Sequence, residues 1–260
     1  MVKQYIGNNN ANYKVAEKSG WGLWWESWQM IGNGGNDTLV GGAEGDKIYG
    51  GADNDWLYGR DGNDYLYGDT GNDIIYGENH NDYIEGGSGN DYLYGGSGND
   101  TIHGQDDHDY ILGGMGNDYL SGGTGNDTIY GEANNDQLLG HTGNDRLVGD
   151  SGNDFIDGYN WNIGGVEYDT LTGGGDADTF ALGRVATGIS YLGNGYATIT
   201  DFDWREGDKI QVYGRTGYSL GQGNFVGTAA TDTVIYQNGD AIGIVQDTID
   251  INLNTDFIFL

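Results

Sequence analysis

An aspartate recurs every nine residues from Asp37 to Asp154 and twice more at Asp169 and Asp178, sixteen in one register. Each closes a Gly-rich hexapeptide, as in Gly86-Gly87-Ser88-Gly89-Asn90-Asp91, and is followed by three residues with an apolar one in the middle. If two such units make one turn of a flattened coil, alternate aspartates stack. One column then carries Asp37, Asp55, Asp73, Asp91, Asp109, Asp127, Asp145 and Asp169, the other Asp46, Asp64, Asp82, Asp100, Asp118, Asp136, Asp154 and Asp178. Neighbours in a column are about 4.8 Å apart, one strand spacing. Bare carboxylates at that spacing repel and tend to bind protons. A hard cation with oxygen ligands between each pair removes the repulsion, and the Gly-rich turns expose carbonyls to complete its shell of about six to eight oxygens. Calcium fits better than magnesium, whose small octahedron tolerates an all-protein cage poorly, and zinc would want His or Cys. Two columns of eight leave up to fourteen gaps, and fourteen divalent ions nearly cancel the net charge of −30.

The units that place these aspartates run without a break from Gly32 to Asp157, with two more starting at Gly164 and Gly173 after the insertion Gly158 to Ile163. Position eight is Leu or Ile throughout, except Phe180 in the last unit. Position four is usually Gly but is Asp53, His80, Asp107 and Asn134 at steps of 27 residues, as if blocks of three units had been copied. Asp, His and Asn are the residues that best tolerate a left-handed backbone, so they can replace a left-handed Gly. Glu44 fits neither that type nor that place, and the second unit is expected to be distorted.

Residues one to six of a unit read as a tight turn and residues seven to nine as a three-residue strand with position eight inward. Strands so short are unstable alone, so units must stack, odd units in one sheet and even units in the other. The expected fold is all-β, a right-handed parallel β-roll over 32–181, with an N-terminal cap over 1–31 and an antiparallel β cap over 182–260. In the N-terminal cap Trp21, Trp24, Trp25 and Trp28 fall on one face of a helix that would plug the first turn. In the C-terminal cap the stretches Ala197–Thr200, Lys209–Tyr213, Thr233–Gln237 and Ala241–Val245 read as strands, with a hairpin turn at Asn238-Gly239.

The nonapeptide resembles the G-G-x-G-N-D-x-U-x hallmark of the RTX, or haemolysin-type calcium-binding repeat, family, and the likeness covers Gly32 to Ala181. That resemblance implies a parallel β-roll, calcium bound between successive turns, and export of the unfolded chain by a type I ABC exporter that reads a C-terminal signal. The ending, Asp256 followed by Phe257, Ile258, Phe259 and Leu260, looks like that signal and also reads as a final cap strand. The stretch Ile199 to Ile210 resembles the segment that follows the roll in many members. Extracellular or cell-surface localisation without an N-terminal signal peptide follows, since MVKQYIGNNN has no apolar core.

Other chemistries fare poorly. The acidic charge repels nucleic acid, and no run of about 18 apolar residues is present to span a membrane. The one G-x-S-x-G match, Gly217 to Gly221, has no His downstream, the last being His141, so a nucleophile elbow in its usual order is not expected. The four histidines occupy four different repeat positions, and no enzyme is expected. On the odd sheet, Trp56, Tyr58, Tyr76, Tyr92, Tyr94, Tyr110 and Tyr130 form an outward ladder, read either as sheet reinforcement or as a contact surface. The expected function is a secreted, non-enzymatic structural or cell-surface protein that folds on calcium and uses this ladder to bind its own kind or an extracellular polysaccharide. The alternative is an accessory module of a larger secreted protease, lipase or polysaccharide epimerase.

Overall fold

The structure, a computed structural model, describes residues 3–16, 27–158, 167–182, 196–212, 218–223, 231–237, 240–246 and 251–259. Every regular element among them is a strand, and none is a helix long and apolar enough to cross a membrane. The chain divides into two compact units, Met1–Thr124 and Gly125–Leu260.

The first unit comprises β1 (Lys3–Ile6), β2 (Tyr13–Val15), β3 (Trp28–Gly34), β4 (Thr38–Val40), β5 (Lys47–Ala52), β6 (Trp56–Asp61), β7 (Tyr65–Thr70), β8 (Ile74–Asn79), β9 (Tyr83–Ser88), β10 (Tyr92–Ser97), β11 (Thr101–Asp106), β12 (Tyr110–Met115) and β13 (Tyr119–Thr124). Consecutive strands alternate between two sheets, β1-β3-β5-β7-β9-β11-β13 and β2-β4-β6-β8-β10-β12. Each strand therefore pairs in parallel with the strands two places away in the chain, and within the repeats the register advances by eighteen residues, as in Leu93↔Ile111. This is the parallel β-roll that the nine-residue period implies. Position eight forms the core: Ile48, Leu66, Ile84, Ile102 and Leu120 from one sheet and Leu39, Leu57, Ile75, Leu93 and Ile111 from the other are all fully buried. Each such side chain contributes about 1.5–3 kcal/mol of apolar burial.

Strands are longer than the expected three residues. In β10 the ladder runs Tyr92, Leu93, Tyr94, skips Gly95, and resumes at Gly96 and Ser97 against Gly114 and Met115. The Gly-Gly-x segment reads as turn by composition, yet it remains paired in the sheet, because stacked identical turns present the same backbone groups to one another. The chain turns at positions four to six and bends again at position two, where Arg60, Asp69, Glu78 and Gln105 have φ of 79°, 72°, 78° and 83°. Asp53, His80, Asp107 and Asn134 all adopt the left-handed backbone expected at position four, with φ of 74°, 76°, 73° and 81°. Glu44 does not, and its strand β4 stops at Val40, so the second unit is indeed irregular.

The N-terminal segment does not follow the helical expectation at Trp28, which opens strand β3 and is buried; Trp21, Trp24 and Trp25 lie outside the described residues. Instead β1 and β2 add a coil to the roll, with Met30 continuing the core row through the pairs Met30↔Ile48 and Tyr5↔Met30. Gly7 to Val15 is a degenerate repeat: Tyr13 pairs with Thr38, which sets Asn12 at the aspartate position and Lys14 at the core position. Lys14 covers that end by lying over the rings of Tyr5 and Trp28, at 6.0 and 5.4 Å.

The second unit comprises β14 (Thr128–Ala133), β15 (Gln137–Thr142), β16 (Arg146–Ser151), β17 (Phe155–Asp157), β18 (Tyr168–Gly175), β19 (Thr179–Leu182), β20 (Tyr196–Ile199), β21 (Lys209–Val212), β22 (Tyr218–Gly223), β23 (Asp232–Gln237), β24 (Asp240–Val245) and β25 (Phe257–Phe259). Its sheets run β15-β17-β19-β21-β25 and β14-β16-β18-β20-β24-β23-β22. The four strands expected after the repeats all form, but β20 and β21 extend the roll in parallel, β24 pairs in parallel with β20, and among the described residues antiparallel pairing is confined to β22-β23-β24. The hairpin turn at Asn238-Gly239 lies outside the described residues. Phe257 to Phe259 pairs in parallel with Ile210 to Val212 as an added edge strand. Ser219 sits within β22, not on a strand-to-helix elbow.

Candidate metal centre

All sixteen repeat aspartates are buried, none more than 3 % exposed. The turn that puts them there is shaped by two opposed ladders. The Asp at position six accepts, on Oδ1, the backbone N–H of the Asp one coil earlier. In the first unit Asp37 N–H donates to Asp55 at 2.7 Å, Asp55 to Asp73 at 2.7 Å, Asp73 to Asp91 at 2.7 Å and Asp91 to Asp109 at 2.9 Å. The other column repeats this from Asp46 through Asp64, Asp82 and Asp100 to Asp118 at 2.6–2.8 Å. In the second unit Asp127 donates to Asp145 and Asp145 to Asp169, while Asp136 donates to Asp154 and Asp154 to Asp178, at 2.8–2.9 Å. The Asn at position five points the other way, accepting on Oδ1 from the following coil, as Asn72 N–H to Asn54 at 2.8 Å and Asn90 N–H to Asn72 at 2.9 Å. The Asn-Asp pair thus ties each turn to both neighbours, a role the turn propensity of Asn alone does not reveal.

Oδ1 is satisfied; Oδ2 is not. In Asp37, Asp55, Asp64, Asp73, Asp82, Asp91, Asp100, Asp145, Asp154 and Asp178 the second oxygen is buried and accepts no hydrogen bond from the described residues. A carboxylate so placed is costly unless something meets its second oxygen. Burial, reinforced by neighbouring aspartates, pushes carboxyls along both columns far above the carboxylate range. Asp73 and Asp154 rise to about 6, Asp55, Asp91 and Asp100 to about 7, Asp64, Asp82 and Asp178 to about 8, and Asp145 to about 9.

The space around Oδ2 is defined by the glycine at position one. A methyl carbon on Gly86 would lie 2.3 Å from Asp91 Oδ2 and 2.9 Å from the Gly104 carbonyl oxygen of the next coil, and one on Gly95 would lie 2.5 Å from both Asp100 Oδ2 and the Gly113 carbonyl oxygen. Carboxylate and carbonyl oxygens converge where only glycine leaves room. No cluster of three or more His, Cys, Asp or Glu side chains occurs among the described residues, so the donor set has to draw on backbone carbonyls. An all-oxygen set of one negative group and carbonyl dipoles fits a hard cation and offers nothing to a soft one.

Two positions depart from the pattern. At Asp46 the irregular second unit turns the Gly42 N–H onto Oδ2 at 2.6 Å, so that oxygen is already engaged. Beyond the repeats, Asp208 continues a column: it accepts the Asp178 N–H at 3.0 Å and is 3 % exposed. Its spacing of thirty residues from Asp178 hides it from a nine-residue search. At the other end Asn12 donates its N–H and its amide to Asp37 Oδ1, at 2.5 and 2.7 Å.

The aromatic ladder of the odd sheet forms in part as a ring stack. Tyr58, Tyr76 and Tyr94 lie 5.2 and 4.6 Å apart with planes within 7°, while Trp56 and Tyr92 stand 44 % and 49 % exposed. It is not confined to that sheet. Tyr49 stacks on Tyr67 at 4.8 Å, and Tyr65, Tyr83, His103 and Tyr119 form a second row on the even sheet, because short polar residues between them leave the rings room to meet.

Among known structures, the chain is similar to the AlgE6R3 subunit of a mannuronan C5-epimerase from Azotobacter vinelandii, with 23 % identity over 55 % of this chain and 80 % of that one, at a TM-score of 0.35. It is also similar to the extracellular lipase LipA from Serratia marcescens, with 17 % identity over 87 % of this chain and 40 % of the lipase, at a TM-score of 0.35. Among curated proteins there is no match. The RTX calcium-binding nonapeptide repeat (4 copies) matches residues 31–66, 58–93, 85–120, 112–147, 139–160 and 163–185. These segments take in more than half of the sequence and every repeat aspartate, and the chain belongs to the RTX calcium-binding nonapeptide repeat family.

Proposed function

We propose that this chain is a secreted, non-enzymatic structural protein that folds on calcium outside the cell and associates with its own kind through the odd sheet. The observation that carries the calcium part is the row of buried Asp Oδ2 atoms without a hydrogen-bond partner among the described residues, several of them converging with a carbonyl of the next coil, as Asp91 does with that of Gly104. Asp37, Asp55, Asp64, Asp73, Asp82, Asp91, Asp100, Asp109, Asp118, Asp127, Asp136, Asp145, Asp154, Asp169 and Asp178 supply carboxylates, and Asp208 extends the set. Asp46 and Asp208 are the weakest members, their Oδ2 atoms being engaged by the backbone N–H groups of Gly42 and Asp203. Calcium, when bound, supplies the positive charge that lets these groups stay ionised in a dry turn. The protein's part is to bury the carboxylate, hold Oδ1 by the backbone and keep side chains out of the cradle.

Calcium near millimolar concentration is an extracellular condition, so a fold that requires it stays open inside the cell and closes outside. This agrees with export of an unfolded chain through a type I ABC exporter, as in the family. Self-association is supported by the exposed Trp56 and Tyr92 beside the stacked Tyr58, Tyr76 and Tyr94, with Tyr110 and Tyr130 continuing the odd-sheet positions. Elemental analysis of the calcium-equilibrated protein tests the ligand set: on the order of ten ions per chain is expected. Two or three would contradict a site at each coil.

A further inference from the structure

The outer face of the even sheet in the first unit holds a shallow groove of about 270 Å³, lined by Tyr83, Glu85, His103, Gln105, Ser121 and Gly123. It is separate from the aspartate turns and from the odd-sheet ladder. Three of its members occupy position nine of consecutive coils, through the register pairs Glu85↔His103 and His103↔Ser121. Glu85 is held in place by Tyr83, whose hydroxyl donates to Oε1, and by Gln105, whose amide donates to Oε2 at 3.0 Å. The His103 ring sits between Tyr83 and Tyr119, at 5.7 and 5.6 Å, and makes no side-chain hydrogen bond among the described residues. Ser121 is only 7 % exposed, lines the groove and makes no side-chain hydrogen bond among the described residues. A carboxylate, an imidazole and a hydroxyl in a row suggest nucleophilic catalysis, but no hydrogen bond links them, and a base that does not reach its nucleophile does not activate it.

Recognition fits better. An aromatic wall beside convergent polar groups, two of them with unused hydrogen-bonding capacity, is how proteins hold small polar ligands. The groove has no Lys or Arg among its lining residues, and the Glu85 carboxylate within it opposes an anion. A hydroxyl-rich neutral ligand matches: its C–H face packs on Tyr83, and its hydroxyls can donate to Glu85 and exchange hydrogen bonds with His103, Gln105 and Ser121. We infer that this groove is a binding subsite for a neutral hexose unit of a glycan, a function beyond calcium-dependent folding and self-association.

The test is calorimetric titration of the full calcium-loaded chain with maltohexaose, cellohexaose, laminarihexaose and, as the anionic contrast, a hexagalacturonate. At least one neutral oligosaccharide should bind and the uronate should not. Ser121→Ala removes the unpartnered hydroxyl, and Gln105→Gly removes the amide while keeping a residue suited to its left-handed backbone (φ 83°). Each should weaken binding by up to about tenfold, the worth of one hydrogen bond, with circular dichroism and calcium content unchanged. The inference is overturned if no neutral oligosaccharide binds, if the uronate binds as well, or if both folded variants bind like the parent chain. Unchanged calcium content in those outcomes would leave the metal assignment standing.

Discussion

The backbone N–H of Asp73 donates to Oδ1 of Asp91, eighteen residues ahead, at 2.7 Å. One carboxylate oxygen therefore holds the neighbouring coil, while the other, Asp91 Oδ2, is buried with no partner beside the Gly104 carbonyl. The fold and the proposed metal site share one side chain, so a substitution there should disturb both.

Substitutions at Asp91 separate the two roles. Asp91→Asn keeps an acceptor for Asp73 N–H but lowers the charge on the cradle. Asp91→Ala removes both and leaves a buried N–H unpaired, which costs about 1–3 kcal/mol. Urea unfolding at saturating calcium should rank parent above Asp91→Asn above Asp91→Ala, and Asp37→Ala, next to the terminal coil, should cost less than Asp91→Ala. Equal losses at Asp37 and Asp91 would argue against coupling between coils.

The cradle itself can be blocked without touching a ligand. Gly86→Ala places a carbon 2.3 Å from Asp91 Oδ2, whereas Gly175→Ala meets nothing within 4 Å. The first should cost about 1–3 kcal/mol by overpacking and lower the calcium count, and the second should stay within about 0.5 kcal/mol. Calcium counts that fall equally in both variants would contradict the geometry.

The pH dependence should reverse sign with calcium. In chelator, burial holds Asp55, Asp91 and Asp100 at about 7 and Asp64 and Asp82 at about 8, above the ordinary 3.8. Groups raised in the folded state stabilise it below the unfolded value and lose that contribution as pH rises through about 6 to 8. Residual β-structure in chelator should thus increase on acidification from pH 8 toward pH 4. With calcium bound the same carboxylates are held below 3.8, so stability is present at neutral pH and falls as pH drops. Circular dichroism against pH, with and without calcium, checks this; slopes of the same sign would contradict it.

Much of this was legible from one residue in nine. The period placed the buried aspartates, the core row from Leu39 onward, and the left-handed backbone at Asp53, His80, Asp107 and Asn134, because each depends on residue type at a fixed position. What escaped depends on partners supplied by stacking. Gly96 and Ser97 look like turn residues and become strand only because Gly114 and Met115 lie against them. Asn12 and Lys14 break the repeat in type while keeping its register, and Asp208 keeps the type while breaking the spacing. The tryptophan spacing suggested a helix, yet Trp28 is drawn into β3, where its N–H donates to Asp46 Oδ1 at 2.5 Å. The even-sheet aromatic rows were obscured by the polar residues interleaved with them.

Replacing Tyr92, Tyr94 and Tyr110 with Thr keeps β-propensity and removes the exposed centre of the odd-sheet ladder, including the Tyr94–Tyr76 stack at 4.6 Å. Calcium-induced association, followed by light scattering, should fall sharply while the calcium count holds. Tyr49→Thr with Tyr67→Thr removes a comparable stack at 4.8 Å from the even sheet and should leave association intact. Each lost stack should cost about 0.5–1.5 kcal/mol. If both sets of variants associate like the parent, the ladder serves only the sheet.

If calcium completes the buried aspartate turns, the fold should form only when calcium is bound. Circular dichroism of the whole chain at neutral pH, first in chelator and then across a calcium titration, addresses it most directly. A largely disordered spectrum in chelator should convert cooperatively to β-structure as calcium approaches millimolar concentration. A native-like β spectrum that persists in chelator at neutral pH would contradict it.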